Sequence, residues 1–172
     1  MEFSSRGFAI TNYQYDGINR PYDGVYGEAA TNVDAATLDR VEVVKGATGL
    51  MTGSGDPSAT VNLVRKKPTK AFKASVSGTV GSWDAYRTEG DISGALNDSG
   101  SVRGRFVGAY QDKNSYLDHY SQKKDLFYGI LEADLTPDTL LTFGVDKSST
   151  TPRGSSWTGN PVYFSDGGRT DF

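Results

Sequence analysis

The sequence contains no cysteine, one histidine and no long apolar run. Missing thiols remove disulfides and thiolate metal centres from consideration, and they leave a cell-surface location open, because such a chain need not use disulfides. His119 is the single imidazole, in the polar stretch Leu117-Asp118-His119-Tyr120-Ser121, so no HExxH pair or Cys/His cluster can be written, and no EF-hand spacing is present. Triads are spatial, so adjacency around His119 assembles no nucleophile. An enzyme is not expected, and neither is a cofactor nor a protein-held metal. No segment approaches the roughly 18 apolar residues of a membrane helix. A membrane β-barrel never shows such a run, however, because its lipid-facing and lumen-facing residues alternate. The net charge of −3 gives no basic surface of the kind nucleic acid attracts. Met1-Glu2-Phe3 opens without a basic or an apolar leader region, so no export signal is expected at this end.

Glycine and tyrosine are abundant instead. The stretch Leu38 to Thr69 holds two β-branched runs, Val41-Glu42-Val43-Val44 and Thr60-Val61-Asn62-Leu63-Val64, which predict strands. Between them lie Gly46, Gly49, Gly53 and Gly55, closed by Pro57, a spacing that predicts tight turns or close backbone approach. A phosphate cradle does not fit there. Gly46 to Met51 lacks the Lys-Ser/Thr of a P-loop, and Gly53 to Ser58 lacks the third glycine of a dinucleotide fingerprint while Pro57 removes a donor. Upstream, Asp16-Gly17 predicts a hairpin turn. Asn32 to Leu38 predicts a short helix with Asp34 as its N-cap.

After Pro68 the pattern changes to alternation with period two. Phe72 to Val80, Tyr86 to Leu96, Val102 to Tyr110, Phe127 to Leu135 and Leu141 to Val145 predict five antiparallel strands, each with an apolar and a charged face. A water-soluble sandwich and a membrane barrel would both show this pattern. Two features favour the barrel. The turns Asn97-Asp98-Ser99-Gly100 and Thr136-Pro137-Asp138-Thr139 are tight, whereas Asn114 to Lys124 and the tail after Ser148 fall at the other end as long loops. Trp83, Tyr86, Tyr110 and Phe127 lie near strand ends, where an interfacial girdle belongs. On the charged face, Asp91 is expected across from about Arg105, and this face, with Glu132 and Asp134, reads as a solvated wall.

Together these segments resemble the TonB-dependent outer-membrane receptors. Val41-Glu42-Val43, Lys45-Gly46, Gly53 to Pro57, Val61-Asn62-Leu63-Val64 and Arg65-Lys66-Lys67-Pro68 follow the order of the second half of their plug domain, and Arg6-Gly7-Phe8 extends the likeness toward the start. Thr52, Ser58 and Ala59 depart from the commonest pattern and point to the branch of coprogen- and pyoverdine-type receptors. The fold implied is an α+β plug fragment over residues 1–69, followed over 70–172 by about the first five antiparallel transmembrane strands of an incomplete β-barrel with its extracellular loops. The resemblance further implies a bacterial outer-membrane location and a ferric siderophore, of hydroxamate or mixed type, as ligand. TonB of the inner-membrane energy-coupling complex is the implied partner of the full-length protein. The chain is then expected to be a fragment that begins partway through the plug and stops early in the barrel, without coupling box or remaining strands.

Two places attract a ligand-binding expectation. Asn19 to Tyr26 crowds Arg20, Tyr22 and Tyr26 into a polar loop without apolar period. The resemblance implies that this loop forms the plug apex facing the ligand; cationic and aromatic side chains suit an oxygen-rich iron chelate, and packing inside the barrel is the other reading. Thr151 to Phe172 reads as a long loop in which Trp157 stands in a Trp-x-Gly-x-Pro motif that the resemblance places near the ligand pocket. The alternative function is a soluble antiparallel β-rich module that binds a ligand or carbohydrate through Trp83, Trp157 and the tyrosines.

Overall fold

A computed structural model of the chain describes residues 4–20, 33–46, 58–117 and 119–154. Within them every element but one is a β-strand, and the strands fall into two groups. The first group begins with β1 (Ser4–Ser5) and β2 (Phe8–Ala9), paired across the Arg6-Gly7 turn. Next, β3 (Asn12–Tyr15) and β4 (Ile18–Arg20) form the expected Asp16-Gly17 hairpin. Asp16 and Gly17 both have positive φ, 51° and 82°. The tight two-residue turn requires that conformation, and Asp-Gly adopts it readily. The β-branched runs become β5 (Leu38–Lys45) and β6 (Ala59–Arg65), which complete a four-stranded sheet in the order β4-β3-β6-β5. β3 runs parallel to β6, and β5 antiparallel to it.

The exception corrects the expected helix at Asn32 to Leu38. It is a single 3-10 turn, Ala35–Thr37, and Leu38 is already extended with φ −93° and ψ 138°. The next strand starts at once, so a second helical turn has no chain to use. Among the described residues the α part of the α+β expectation is absent, and the first group is almost wholly β.

The second group is a meander of β7 (Lys73–Gly81), β8 (Ala85–Ala95), β9 (Val102–Asn114), β10 (Ser121–Thr136) and β11 (Thr139–Arg153), each antiparallel to the next in one open sheet. All five predicted strands are present, several longer than predicted. The expected loop from Asn114 to Lys124 shrinks to 115–120, and the strand expected to end near Val145 runs on to Arg153. Polar residues on both faces hide these extensions from a hydrophobic period, although the ladder continues through them.

The faces of this sheet are arranged the wrong way round for a water-soluble protein. Val76 is 83% exposed, Phe143 68% and Leu131 40%, all on one face. The opposite face carries the buried residues Val107, Leu126, Tyr128 and Ile130, which form one apolar cluster with Ala36 of the 3-10 turn. One core cluster therefore lies between the charged face of this sheet and the 3-10 turn, and a second, of Ile10, Tyr13 and Ala59, lies within the first group. From Phe127 to Leu135 the outward residues of β10 are Phe127, Gly129, Leu131, Ala133 and Leu135, about the length of the 9–11 residues that a tilted spanning strand needs. Beyond Phe127 the same face turns charged, with Lys123 Nζ 3.0 Å from Asp112 Oδ2. Tyr86, Tyr110 and Phe127 are about half exposed at that edge, as a girdle requires. Trp83 stacks edge-on with Tyr116 at 6.2 Å between ring centroids.

Candidate functional site

The polar contacts concentrate where the plug portion meets the inner face of β8–β10. Asp34 sits at their centre. Its residue type predicts an N-cap, and its Oδ1 does accept from the Ala36 N–H at 3.0 Å. The same carboxylate also receives the Arg87 guanidinium of β8, Nη2 to Oδ1 at 2.7 Å and Nη1 to Oδ2 at 3.1 Å, and the Lys124 ammonium of β10 at 2.9 Å. Only 5% of the Asp34 side chain remains exposed. Burial by itself would raise its pKa, but the hydrogen bonds from Arg87, Lys124 and the Ala36 amide outweigh it and hold the carboxyl down at about 2. Arg87 is shared further, with Glu89 and with the side-chain oxygen of Gln111. One cap residue thus fastens the turn to two strands of the wall.

A second set fixes the segment after β6. Lys66 Nζ lies 2.8 Å from Asp91 Oδ2, and Arg105 clasps the same carboxylate from Nε at 2.9 Å and Nη2 at 2.7 Å. The Lys66 carbonyl accepts from the Tyr128 hydroxyl at 2.8 Å and the Lys67 carbonyl from Arg105 at 3.0 Å. The Thr69 amide donates to Ser93 Oγ at 2.8 Å. On the wall alone, Arg103 bonds both Glu132 and Asp134. The solvated-wall reading holds for Asp134, which is exposed, and is corrected for the other two carboxylates: Glu132 is buried and Asp91 nearly so. These carboxylates are each met by a guanidinium, as buried charges require. Within the plug, Arg65 reaches Asp16 through both backbone and side chain, at 2.9 and 2.7 Å, so the hairpin turn doubles as an acceptor.

Of the ligand-binding candidates, Arg20 ends β4, with its side chain outside the described residues. Tyr22, Tyr26 and Trp157 also lie outside them. What sequence reasoning missed is the ring of Asp34, Arg87 and Lys124. Asp34 stood out as a cap, but nothing local signals partners that lie 53 residues or more along the chain.

Beside Asp34 a recess of about 450 Å³ opens between the 3-10 turn and β8–β11, lined by Arg87, Lys113, Lys124, Gln111, Gln122 and Thr150 among others. Its lining is polar, and the turn and the wall contribute to it jointly.

Residues 1–60 match the family model described as the TonB-dependent Receptor Plug Domain. Among curated proteins, the chain is 54% identical over 171 residues to the ferripyoverdine receptor of Pseudomonas aeruginosa, a match covering 98% of the chain and 21% of that receptor. It is 47% identical over 169 residues to the ferric-pyoverdine 358 receptor of Pseudomonas putida, covering 98% and 20%. Among solved structures, the pyoverdine outer membrane receptor FpvA from Pseudomonas aeruginosa bound to pyoverdine superposes with a TM-score of 0.86 at 53% identity, over 99% of this chain and 25% of that one. The alcaligin outer-membrane receptor FauA of Bordetella pertussis gives 0.79 at 46% identity, over 86% and 25%. The chain thus spans about a fifth of the length of the curated relatives it matches.

Proposed function

This chain belongs to the TonB-dependent receptors, and from that premise we propose that it forms the plug-to-wall junction of a bacterial outer-membrane receptor that imports a ferric siderophore of the pyoverdine type. The observation that carries this reading is the inverted sheet. Val76, Phe143 and Leu141 face outward over half exposed, while the charged face grips the plug portion. A soluble module would bury that apolar face, so the alternative has no observation in its favour. Residues 1–69 act as the C-terminal part of the plug, and 70–172 as about the first five strands of the barrel, closed by strands that the rest of the receptor supplies. Identity of 54% and 47% to a ferripyoverdine receptor and a ferric-pyoverdine receptor supports the ligand class.

In this reading Arg20, Tyr22 and Tyr26 contact the chelate from the plug apex, and Trp157 contacts it from the loop after β11. Iron arrives already enclosed by its chelator, so the protein supplies hydrogen bonds, charge and stacking rather than metal ligands. Energy from the inner-membrane TonB complex then rearranges the plug and admits the cargo. The test uses the full-length receptor carrying this segment, expressed in a strain without other ferric-siderophore receptors. Uptake of radiolabelled ferric pyoverdine should require both the receptor and TonB. Trp157→Ala should weaken binding roughly tenfold at unchanged surface level, the scale of one lost stacking contact in a central pocket. Transport without TonB, or no binding of ferric pyoverdine or any hydroxamate chelate, would overturn the reading.

A further inference from the structure

The recess beside the 3-10 turn has a charge balance that the latch around Asp34 does not use up. Its cations are Arg87, Lys113 and Lys124, and its carboxylates are Asp34 and Glu89. Arg87 and Lys124 are both committed to Asp34, and Arg87 also to Glu89. Lys113 lines the same space with no carboxylate partner among the described residues. Gln111 accepts from Arg87 through its oxygen, which leaves its amide N–H groups to donate, and Gln122 and Thr150 add neutral donors. Lys113 pairs with Gln122 across β9 and β10, at the end of the wall next to the 115–120 connection. The recess lies on the face of the wall that meets the 3-10 turn, at the end where β9 and β10 are joined.

We infer that this recess is an anion subsite engaged during import rather than at capture, in which Lys113 receives a carboxylate of the siderophore. The inference rests on the receptor reading above. An excess ammonium surrounded by neutral donors favours an anion over a cation. At about 450 Å³ the space takes the acidic flank of a chelate, being at the small end of the range for small-molecule pockets. Because Lys124 and Arg87 line the same space, a carboxylate seated there also competes with Asp34 for them, which couples its arrival to loosening of the turn from the wall.

The experiment compares Lys113→Gln, Lys113→Glu and Lys113→Arg in the full-length receptor, using a ferric pyoverdine and the same siderophore with its free carboxylates amidated. Equilibrium binding is read in de-energised cells and initial uptake rate in energised ones. Lys113→Glu should slow uptake of the carboxylate-bearing chelate roughly tenfold, the size of one lost charge-assisted hydrogen bond. Lys113→Gln should slow it less, Lys113→Arg should restore it, and binding should stay within about twofold throughout. With the amidated chelate the variants should match the wild type. Unchanged uptake in Lys113→Glu, or equal slowing with both chelates, overturns the subsite while leaving the receptor reading intact. Failure of the wild type to bind either chelate overturns both.

Discussion

Replacing Asp34 by asparagine keeps a side-chain oxygen for the cap and removes the charge that holds the turn to the wall. A carboxyl lowered to about 2 from its ordinary 3.8 is worth about 2 kcal/mol of docking at neutral pH. The sign follows from the direction. The pKa is lower in the docked state than in the undocked one, so the contribution is complete above the ordinary value and fades as pH falls through about 2. The Thr37 amide, bonded to the Asp34 carbonyl at 3.1 Å, and the Lys66 amide, bonded to the Thr37 carbonyl at 2.9 Å, lie in the turn and in its tie to the segment after β6, and their exchange reports opening of the turn once the wall no longer holds it. Hydrogen exchange on the full-length receptor should show their protection falling roughly thirtyfold in Asp34→Asn, the equivalent of about 2 kcal/mol. Asp34→Ala should lose about 1 kcal/mol more, because the cap goes as well. Combined with Arg87→Gln, the effects should be non-additive, since the two groups share one contact. Protection of Thr37 and Lys66 that is unchanged in Asp34→Asn at pH 7 would refute the latch.

Other expectations follow from the same contacts. Val76→Lys on the outward face should lower the stability of the refolded receptor in lipid vesicles by about 2–4 kcal/mol, whereas Ser77→Lys on the neighbouring inward position should cost far less; urea unfolding measures both. Gly154 has φ 67°, and a Cβ there would come within 2.2 Å of the His119 carbonyl oxygen. Gly154→Ala should therefore displace the 115–120 connection and lower the amount of folded receptor, seen as loss of the heat-resistant band on a gel. Lys66→Met leaves Asp91 with Arg105 alone and should increase protease cleavage after Lys67 without altering siderophore affinity.

The strands of the wall were legible because each has one apolar face, and so were β5 and β6, from their β-branched runs. The Asp16-Gly17 turn was legible from chemistry alone. Register was only partly so. Asp91 stands opposite Val107, and Arg105 opposite Ser93, two positions from the expected pairing. The connection spans residues 96–101, with Asn97 Oδ1 accepting from the Val102 amide, and so is longer than the four-residue turn read from composition. Arg105 still reaches Asp91 diagonally, because a shift of two residues keeps both side chains on the same face. The charged face was legible as a face but not as a contact surface, since alternation cannot show that the plug packs against it. Asp34 illustrates the limit: a local pattern identifies a cap, whereas the partners that make it a latch come from strands distant in sequence.

The most direct test of the account is the environment of the two faces of β7 and β11 in the full-length receptor reconstituted in lipid. Nitroxide labels placed singly at Val76, Phe143 and Val145 should be reached by molecular oxygen and shielded from a water-soluble nickel chelate. Labels at Ser75, Thr142 and Gly144 should lack that lipid signature. High nickel accessibility at Val76 and Phe143 would mean that the apolar face does not meet hydrocarbon, and would contradict the account.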